Sequence, residues 1–319
     1  MLNESPLVLI SADLSEEQIG RIRATAPRVA IVRAGDLKAD PTLAERIEVA
    51  YPRIPPDLWR QARNLRWLQA DYAGLDSLVS LPQVREHPAL VTNVHIHGDC
   101  IAEHLWGMAL VLTRNLGRAL RRQQTGTWDR SGMTEGLATL RDRVLCVAGL
   151  GAIGTRCAEI GKAFGMRVVG ISRRARASAV ADEVAGPERR AEVFAQARVI
   201  MLALPLTAET RRFVGAKELQ GVRGAYLFNA GRGASVDTDA VVEALRDARL
   251  RGVGLDVTDP EPLPAGHPLW AMRNAIITPH YAGNHPGYEE EAFRAFLENL
   301  GRWVRGEPLR DVVDKAAGY

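Results

Sequence analysis

With 319 residues, 46% apolar and 25% charged, the chain has the composition of an ordinary globular protein and is long enough for two domains with cores of their own. A formal charge of +3, with carboxylates interleaved among the arginines, argues against a nucleic-acid surface, and the three cysteines, Cys100, Cys146 and Cys157, lack Cys-x-x-Cys spacing and read as reduced thiols used as small apolar residues. The start, Met1-Leu2-Asn3-Glu4-Ser5-Pro6, has no basic region ahead of an apolar segment, and no apolar run approaches a membrane span, so a cytoplasmic protein without a membrane partner is expected.

Leu7-Val8-Leu9-Ile10 reads as a buried strand, and Ser15-Glu16-Glu17-Gln18 opens an amphipathic helix with Ile19 and Ile22 on one face. Further strands are expected at residues 29–32, 47–50 and 65–70. Between them lie a helix candidate over 41–46, a proline-rich loop over 52–56, and a helix capped by Asp57 that holds Leu58 and Trp59. This alternation implies a parallel, flavodoxin-like α/β unit. Open sheets of that kind bind ligands outside the carboxyl ends of their strands. The loop Asp71-Tyr72-Ala73-Gly74-Leu75-Asp76 therefore either offers free N–H groups to a substrate carboxylate or is an ordinary strand-to-helix turn. Tyr72 either lines that pocket or covers the core.

Residues 91–99 are the expected crossing to a second domain. His95-x-His97 has a spacing that fits a metal on a strand, but no supporting acid or cysteine set accompanies it, and no metal is expected. Asp99 is placed to cap a long helix through Arg121. Its Leu105, Trp106, Met108, Leu110, Val111, Leu112 and Leu116 are apolar nearly all round, which makes it a central core helix or a subunit contact. Residues 126–139 read as an irregular loop.

The stretch Val144-Leu145-Cys146-Val147-Ala148-Gly149-Leu150-Gly151-Ala152-Ile153-Gly154 then joins a strand to a helix through Gly-x-Gly-x-x-Gly. Gly149 permits the turn, Gly151 lets the backbone approach a diphosphate, and Gly154 lets the helix pack on the strand, with Ala152 and Ile153 in the first helical turn. The next strand, Arg167 to Ile171, completes a βαβ unit. At its end a dinucleotide fold that takes NAD places an acid against the ribose hydroxyls. This chain has Ser172, Arg173 and Arg174 there, and two guanidiniums beside a hydroxyl suit a 2′-phosphate, so NADP(H) is preferred over NAD(H).

Strands are expected at residues 197–204, 224–230, 253–257 and 275–280, each ending in polar or turn residues, and a last helix over 288–305. Arg232 lies between two glycines, Glu261 between Pro260 and Pro262, and His280 follows Pro279. A guanidinium grips a carboxylate in a bidentate manner, an imidazole exchanges a proton near neutral pH, and a carboxylate on its other nitrogen fixes its tautomer. Singly these residues read as a surface ion pair, a loop charge and a core histidine. Together, on strand-end loops of one nucleotide-binding sheet, they read as the catalytic set for hydride transfer to a 2-oxo acid.

The ordered motifs resemble the D-isomer-specific 2-hydroxyacid dehydrogenases over nearly the whole chain. They are Leu68 to Asp76, Ala102-Glu103-His104, Gly149 to Gly154, Leu204-Pro205-Leu206-Thr207 with Glu209-Thr210, Asn229-Ala230-Gly231-Arg232-Gly233, Gly254 to Pro264, His267 to Trp270, and Thr278-Pro279-His280-Tyr281-Ala282-Gly283. The resemblance implies two doubly wound parallel-sheet domains, a Rossmann cofactor domain (98–286) inserted in a flavodoxin-like substrate domain (1–97, with 287–319 returning to it). It implies Arg232, Glu261 and His280 as catalytic residues, and backbone groups of Ala73 and Gly74 on the substrate carboxylate beside Tyr72. Leu204, Pro205, Thr210, Ala230, Asp256 and Gly283 would lie along the cofactor, and a homodimer would form around the helix after Glu103. Asn284-His285-Pro286 and His95-Ile96-His97 depart from the family's usual small residues. The Ser172-Arg173-Arg174 turn is similar to that of NADPH-using glyoxylate and hydroxypyruvate reductases. The expected activity is reduction of a small 2-oxo acid; the alternatives are NAD-linked oxidation of a D-2-hydroxy acid and a nucleotide-sensing scaffold without catalysis.

Overall fold

The computed structural model describes residues 5–173 and 176–318. It divides into two compact units, one running to Ile96 and resuming at His285, the other spanning His97–Asn284. Each is built on a parallel sheet with helices. Among the described residues, no helix is long and apolar enough to cross a membrane.

In the first unit β1 (Leu7–Ile10), β2 (Ala30–Arg33), β3 (Ile47–Tyr51), β4 (Trp67–Gln69) and β5 (Leu90–Thr92) form one sheet in the order β2-β1-β3-β4-β5, every pair parallel. Alternate residues feed opposite faces, because successive side chains on a strand point to opposite sides. Val8, Ile10, Val49, Tyr51 and Trp67 meet Ile19 and Ile22 of the helix Glu16–Thr25 and Phe293 and Phe296 of the helix Tyr288–Val304. Leu9, Ile47, Ala50, Leu68 and Val91 meet Trp59, Leu75 and Val79 on the other face. Ser15 closes a capping box with Gln18, as its spacing implies.

The second unit carries β6 (Val144–Ala148), β7 (Arg167–Ile171), β8 (Glu183–Ala185), β9 (Val199–Leu202), β10 (Ala225–Asn229), β11 (Leu250–Leu255) and β12 (Ala275–Ile277) in the order β12-β11-β10-β9-β6-β7-β8, again all parallel. The order reverses at β6, which is the switch point where a doubly wound sheet opens a crevice for a nucleotide. The glycine motif follows that strand.

Four local expectations are corrected. Residues Pro41–Arg46 and Pro56–Arg60 are 3-10 turns, and Asp57 lies inside the first turn of the second, which begins at Pro55 without a side-chain cap. The helix expected to run from Asp99 to Arg121 is two helices, Gly98–Thr113 and Leu116–Gln124. Asn115 breaks it at φ 56°, a left-handed conformation that asparagine tolerates, while its amide donates to the carbonyls of Met133 and Glu135 at 2.9 and 2.8 Å. Asp99 caps nothing; it pairs with Arg156 at 2.6 Å. The first of these helices is a core helix of its unit, burying Ile101, Leu105, Trp106 and Met108 against Leu145, Val147 and Phe228.

Candidate active site

β6 is followed by Gly149, held at φ 92°, a backbone conformation open to glycine and strained for other residues. A Cβ there would sit 2.4 Å from the Ala203 carbonyl oxygen, and one on Gly154 would sit 1.8 Å from the Gly149 carbonyl oxygen. Both glycines are thus required by the protein's own packing. Gly151 differs, for the space its Cβ would occupy is open. It starts the helix Ala152–Ala163 with no side-chain cap, so the N–H groups of Ala152, Ile153 and Gly154 face outward without one. An open approach, spare donors and the positive end of a helix dipole fit the diphosphate of a dinucleotide.

After β7, Ser172 is tied to β8 by its N–H, which donates to Ala185 O at 3.0 Å. Arg173 is exposed, and Arg174 lies outside the described residues. Glu209 is held below the usual carboxylate range, first by the Thr207 hydroxyl that donates to it at 2.8 Å and by its own N–H, and in smaller part by the charge of Arg173. Thr210 shapes the same loop, its hydroxyl donating to Pro205 O at 2.6 Å and accepting from Thr207 N at 2.7 Å.

The charged residues come from the ends of adjacent strands. Arg232 follows β10, extended at φ −141°, so its flanking glycines are not there for unusual backbone angles. They admit neighbouring loops. A Cβ on Gly231 would lie 2.7 Å from Leu204 O, and one on Gly233 would lie 1.8 Å from Thr258 O. Arg232 is thereby fixed between the loop that contains Pro205 and the loop that contains Glu261, and its guanidinium donates to Gly231 O at 2.8 Å. Glu261, after β11, accepts from Thr258 N at 3.4 Å through Oε2 and lies 2.6 Å from His280 Nδ1 through Oε1. His280, after β12, adopts φ 50°, pinned by its N–H donating to Asp256 O at 2.9 Å.

Asp256 does more structural work than its sequence position suggests. Its buried carboxylate accepts from Thr278 Oγ1 at 2.6 Å, Tyr281 N at 3.1 Å and Ala282 N at 3.0 Å, which grips the His280 loop on both sides of the histidine. His104 extends the group, its Nε2 3.0 Å from Thr278 Oγ1 and its ring edge-on to Tyr281. Sequence reasoning gave His104 and Thr278 no role. Only the motifs that contain them mark the positions, because a contact across 174 residues leaves no local periodicity. Ala230 is buried, and Gly283 lies against His97, whose ring would be 3.0 Å from a Cβ there.

In the first unit the loop after β4 places Ala73 and Gly74 at the carboxyl edge of its sheet. Among the described residues, no protein acceptor pairs with either N–H. Tyr72 packs against the core from that edge, with the Arg53 guanidinium 5.6 Å above its ring. Asp71 is raised above the usual carboxylate range, chiefly by burial, with Arg53 4.0 Å away pulling it partly back. His95 lies 3.7 Å from Asp311.

A glycine loop at the switch point, with an arginine, a glutamate and a histidine after the adjacent strands β10, β11 and β12, fits an oxidoreductase that uses a nicotinamide dinucleotide. Residues 106–282 match the family model for the D-isomer specific 2-hydroxyacid dehydrogenase, NAD binding domain. The chain belongs to that family, and is an NAD(P)-dependent enzyme of it. It is 34% identical to a glyoxylate reductase of Aeropyrum pernix over 82% of this chain and 80% of that one. It is similar, at 30% identity and a TM-score of 0.82 over 99% of both chains, to a D-isomer specific 2-hydroxyacid dehydrogenase from Xanthobacter autotrophicus Py2 in complex with NADPH and MES. An NADPH-dependent glyoxylate/hydroxypyruvate reductase from Sinorhizobium meliloti, in complex with NADP and sulfate, gives 25% identity and a TM-score of 0.79 over 99% of this chain and 100% of that one.

Proposed function

We propose that the protein reduces a small 2-oxo acid, of the glyoxylate or hydroxypyruvate kind, to the D-2-hydroxy acid with NADPH. The observation that carries this reading is the 2.6 Å contact between His280 Nδ1 and Glu261 Oε1. A carboxylate on Nδ1 holds the proton there and turns Nε2 toward the reaction, where a charged imidazole gives its second proton to the carbonyl oxygen as it becomes an alkoxide. Arg232 binds the substrate carboxylate and draws charge from the adjacent carbonyl. Ala73 and Gly74 offer backbone donors to the same carboxylate, and Tyr72 lies beside them. When bound, the nicotinamide supplies the hydride.

The glycine loop Gly149, Gly151 and Gly154, with Ala152 and Ile153, would hold the diphosphate, and Leu204, Pro205, Thr210, Ala230, Asp256 and Gly283 would shape the nicotinamide end. The preference for NADPH rests on the absence of a carboxylate at Ser172-Arg173 and on the exposed Arg173 side chain. The relatives from X. autotrophicus and S. meliloti, with NADPH and NADP bound, support it. The reading includes a homodimer, supported by exposed Leu116, Leu120 and Trp128 just beyond the helix after Glu103.

Cofactor oxidation is the test, with NADPH and NADH run in parallel against glyoxylate, hydroxypyruvate, pyruvate and a bulky 2-oxo acid. His280→Ala lowers kcat by about 10²–10⁴-fold without weakening NADPH binding. Arg173→Ala lowers the NADPH-to-NADH preference by about tenfold or more, the worth of a charge-assisted hydrogen bond to phosphate. A kcat left near the wild-type value in His280→Ala contradicts the assigned chemistry, and an unchanged preference in Arg173→Ala removes the turn from cofactor selection.

A further inference from the structure

The loop proposed to hold the substrate carboxylate rests on a buried polar lattice. Gln69, fully buried at the end of β4, donates through Nε2 to Ala70 O and Asn93 O, both at 2.9 Å. Its Oε1 accepts from Thr92 Oγ1 and Asn299 Nδ2, both at 2.8 Å, and Thr92 in turn accepts from Trp67 Nε1 at 2.8 Å. Asn299 closes the lattice on the C-terminal segment, donating to Arg310 O and accepting from Arg310 N. These residues satisfy one another. Asn93 does not follow that pattern.

Asn93 is only 6% exposed, and its N–H donates to Asp311 O at 3.1 Å. Its side-chain Nδ2 donates to Ala73 O at 2.8 Å, yet its Oδ1 is buried with no hydrogen-bond partner. A buried acceptor left unsatisfied calls for a reason, and apolar packing alone would be served better by an apolar side chain. The reason lies in the peptide it grips. The Ala73–Gly74 bond is not among the cis peptides, and in a trans peptide the carbonyl of one residue and the N–H of the next point in opposite directions. Drawing Ala73 O toward Asn93 therefore turns Gly74 N–H away from the lattice. That N–H has no protein acceptor among the described residues.

We infer that Asn93 is a positioning residue for substrate binding: its amide fixes the Ala73–Gly74 peptide in the one orientation that presents Gly74 N–H to the substrate carboxylate. This rests on the reading in which Ala73 and Gly74 hold that carboxylate. Asn93 acts through the Ala73 carbonyl it holds. Its effect is confined to the affinity for the acid.

The test compares wild type, Asn93→Ala and Asn93→Asp. It measures KM and kcat with hydroxypyruvate, calorimetric affinity for oxalate as a carboxylate probe, and NADPH affinity by fluorescence. Both variants raise KM and weaken oxalate by about tenfold or more near neutral pH, with kcat and NADPH affinity little changed. A carboxylate repels Ala73 O, whereas a protonated carboxyl donates to it. Oxalate binding by Asn93→Asp therefore recovers relative to wild type as the pH falls through the carboxylate range, while Asn93→Ala shows no recovery. An unchanged KM in both variants overturns the inference, as does a loss of NADPH affinity parallel to the loss of oxalate affinity. A pH profile for Asn93→Asp that tracks Asn93→Ala also overturns it, because a merely structural role gives no acid recovery. If wild type neither reduces any 2-oxo acid nor binds oxalate, the functional reading fails and takes the inference with it; if wild type turns over and the variants match it, the inference alone fails.

Discussion

Both units end their parallel strands in loops that carry polar groups, but they equip those edges differently. The seven-stranded sheet presents ionisable side chains, Arg232, Glu261 and His280, each braced by a neighbouring loop or carboxylate. The five-stranded sheet presents backbone N–H groups at Ala73 and Gly74, braced from behind by buried amides. In the proposed reading, one edge moves protons and the other recognises the fixed shape of a carboxylate. The glycines divide in the same manner: Gly149 and Gly154 are required by protein packing, and Gly151 faces open space.

That division gives the largest expected effect. Gly154→Ala drives a Cβ into a backbone carbonyl at 1.8 Å, which no side-chain rotation relieves. The loop must open and the helix Ala152–Ala163 must shift, at a cost of about 1–3 kcal/mol or more. Gly151→Ala meets nothing. Thermal melting of the two variants should separate them, with Gly154→Ala well below wild type and Gly151→Ala at its midpoint. NADPH affinity should fall in both. If Gly151→Ala binds NADPH as wild type does, the cradle is not where the diphosphate lies.

A smaller effect tests whether the charged edge works through charge. Glu261→Gln keeps a hydrogen-bond acceptor near His280 Nδ1 but replaces an anionic partner with a neutral one. A charge-assisted bond is worth about twice a neutral one, a difference of about 1–1.5 kcal/mol, so kcat/KM should fall by about tenfold. A loss as large as that of His280→Ala would mean that Glu261 takes part in proton transfer itself.

How much of this was legible in the sequence follows the same contrast. The glycine loop, the apolar strands and the three charged residues each leave a signature within a few residues, since turns, caps and strand ends are local. The flavodoxin-like sheet followed from strand and helix alternation, the Rossmann-like one from the glycine loop in its βαβ unit and from the family resemblance, and two parallel sheets are present. What stayed hidden depends on distant pairing. Asp256 gripping the His280 loop joins residues 22 to 26 apart, and Gln69 reaching Asn299 spans 230 residues. Asn115 was hidden for a different reason: apolar periodicity continued past it to Leu116, although a left-handed asparagine ended the helix.

The smallest effect concerns Asp71, which places a charge on the edge otherwise built from amides. Burial raises its carboxyl above the ordinary range more than Arg53 at 4.0 Å and a backbone hydrogen bond lower it, and its Oδ1 has no hydrogen-bond donor. A carboxyl that holds its proton more tightly folded than unfolded favours the folded state below its unfolded pKa. That advantage is lost as the pH rises through the folded value, and the ionised group becomes a net cost. Asp71→Asn removes the ionisation while keeping the shape. The variant should therefore melt about one to three degrees above wild type near neutral pH, with the gap closing as the pH falls through the carboxylate range. A variant that melts lower at neutral pH would show that the Arg53 pair outweighs burial. In that case the first unit holds its Ala73–Gly74 loop by charge as well as by amides, and the contrast between the two edges narrows.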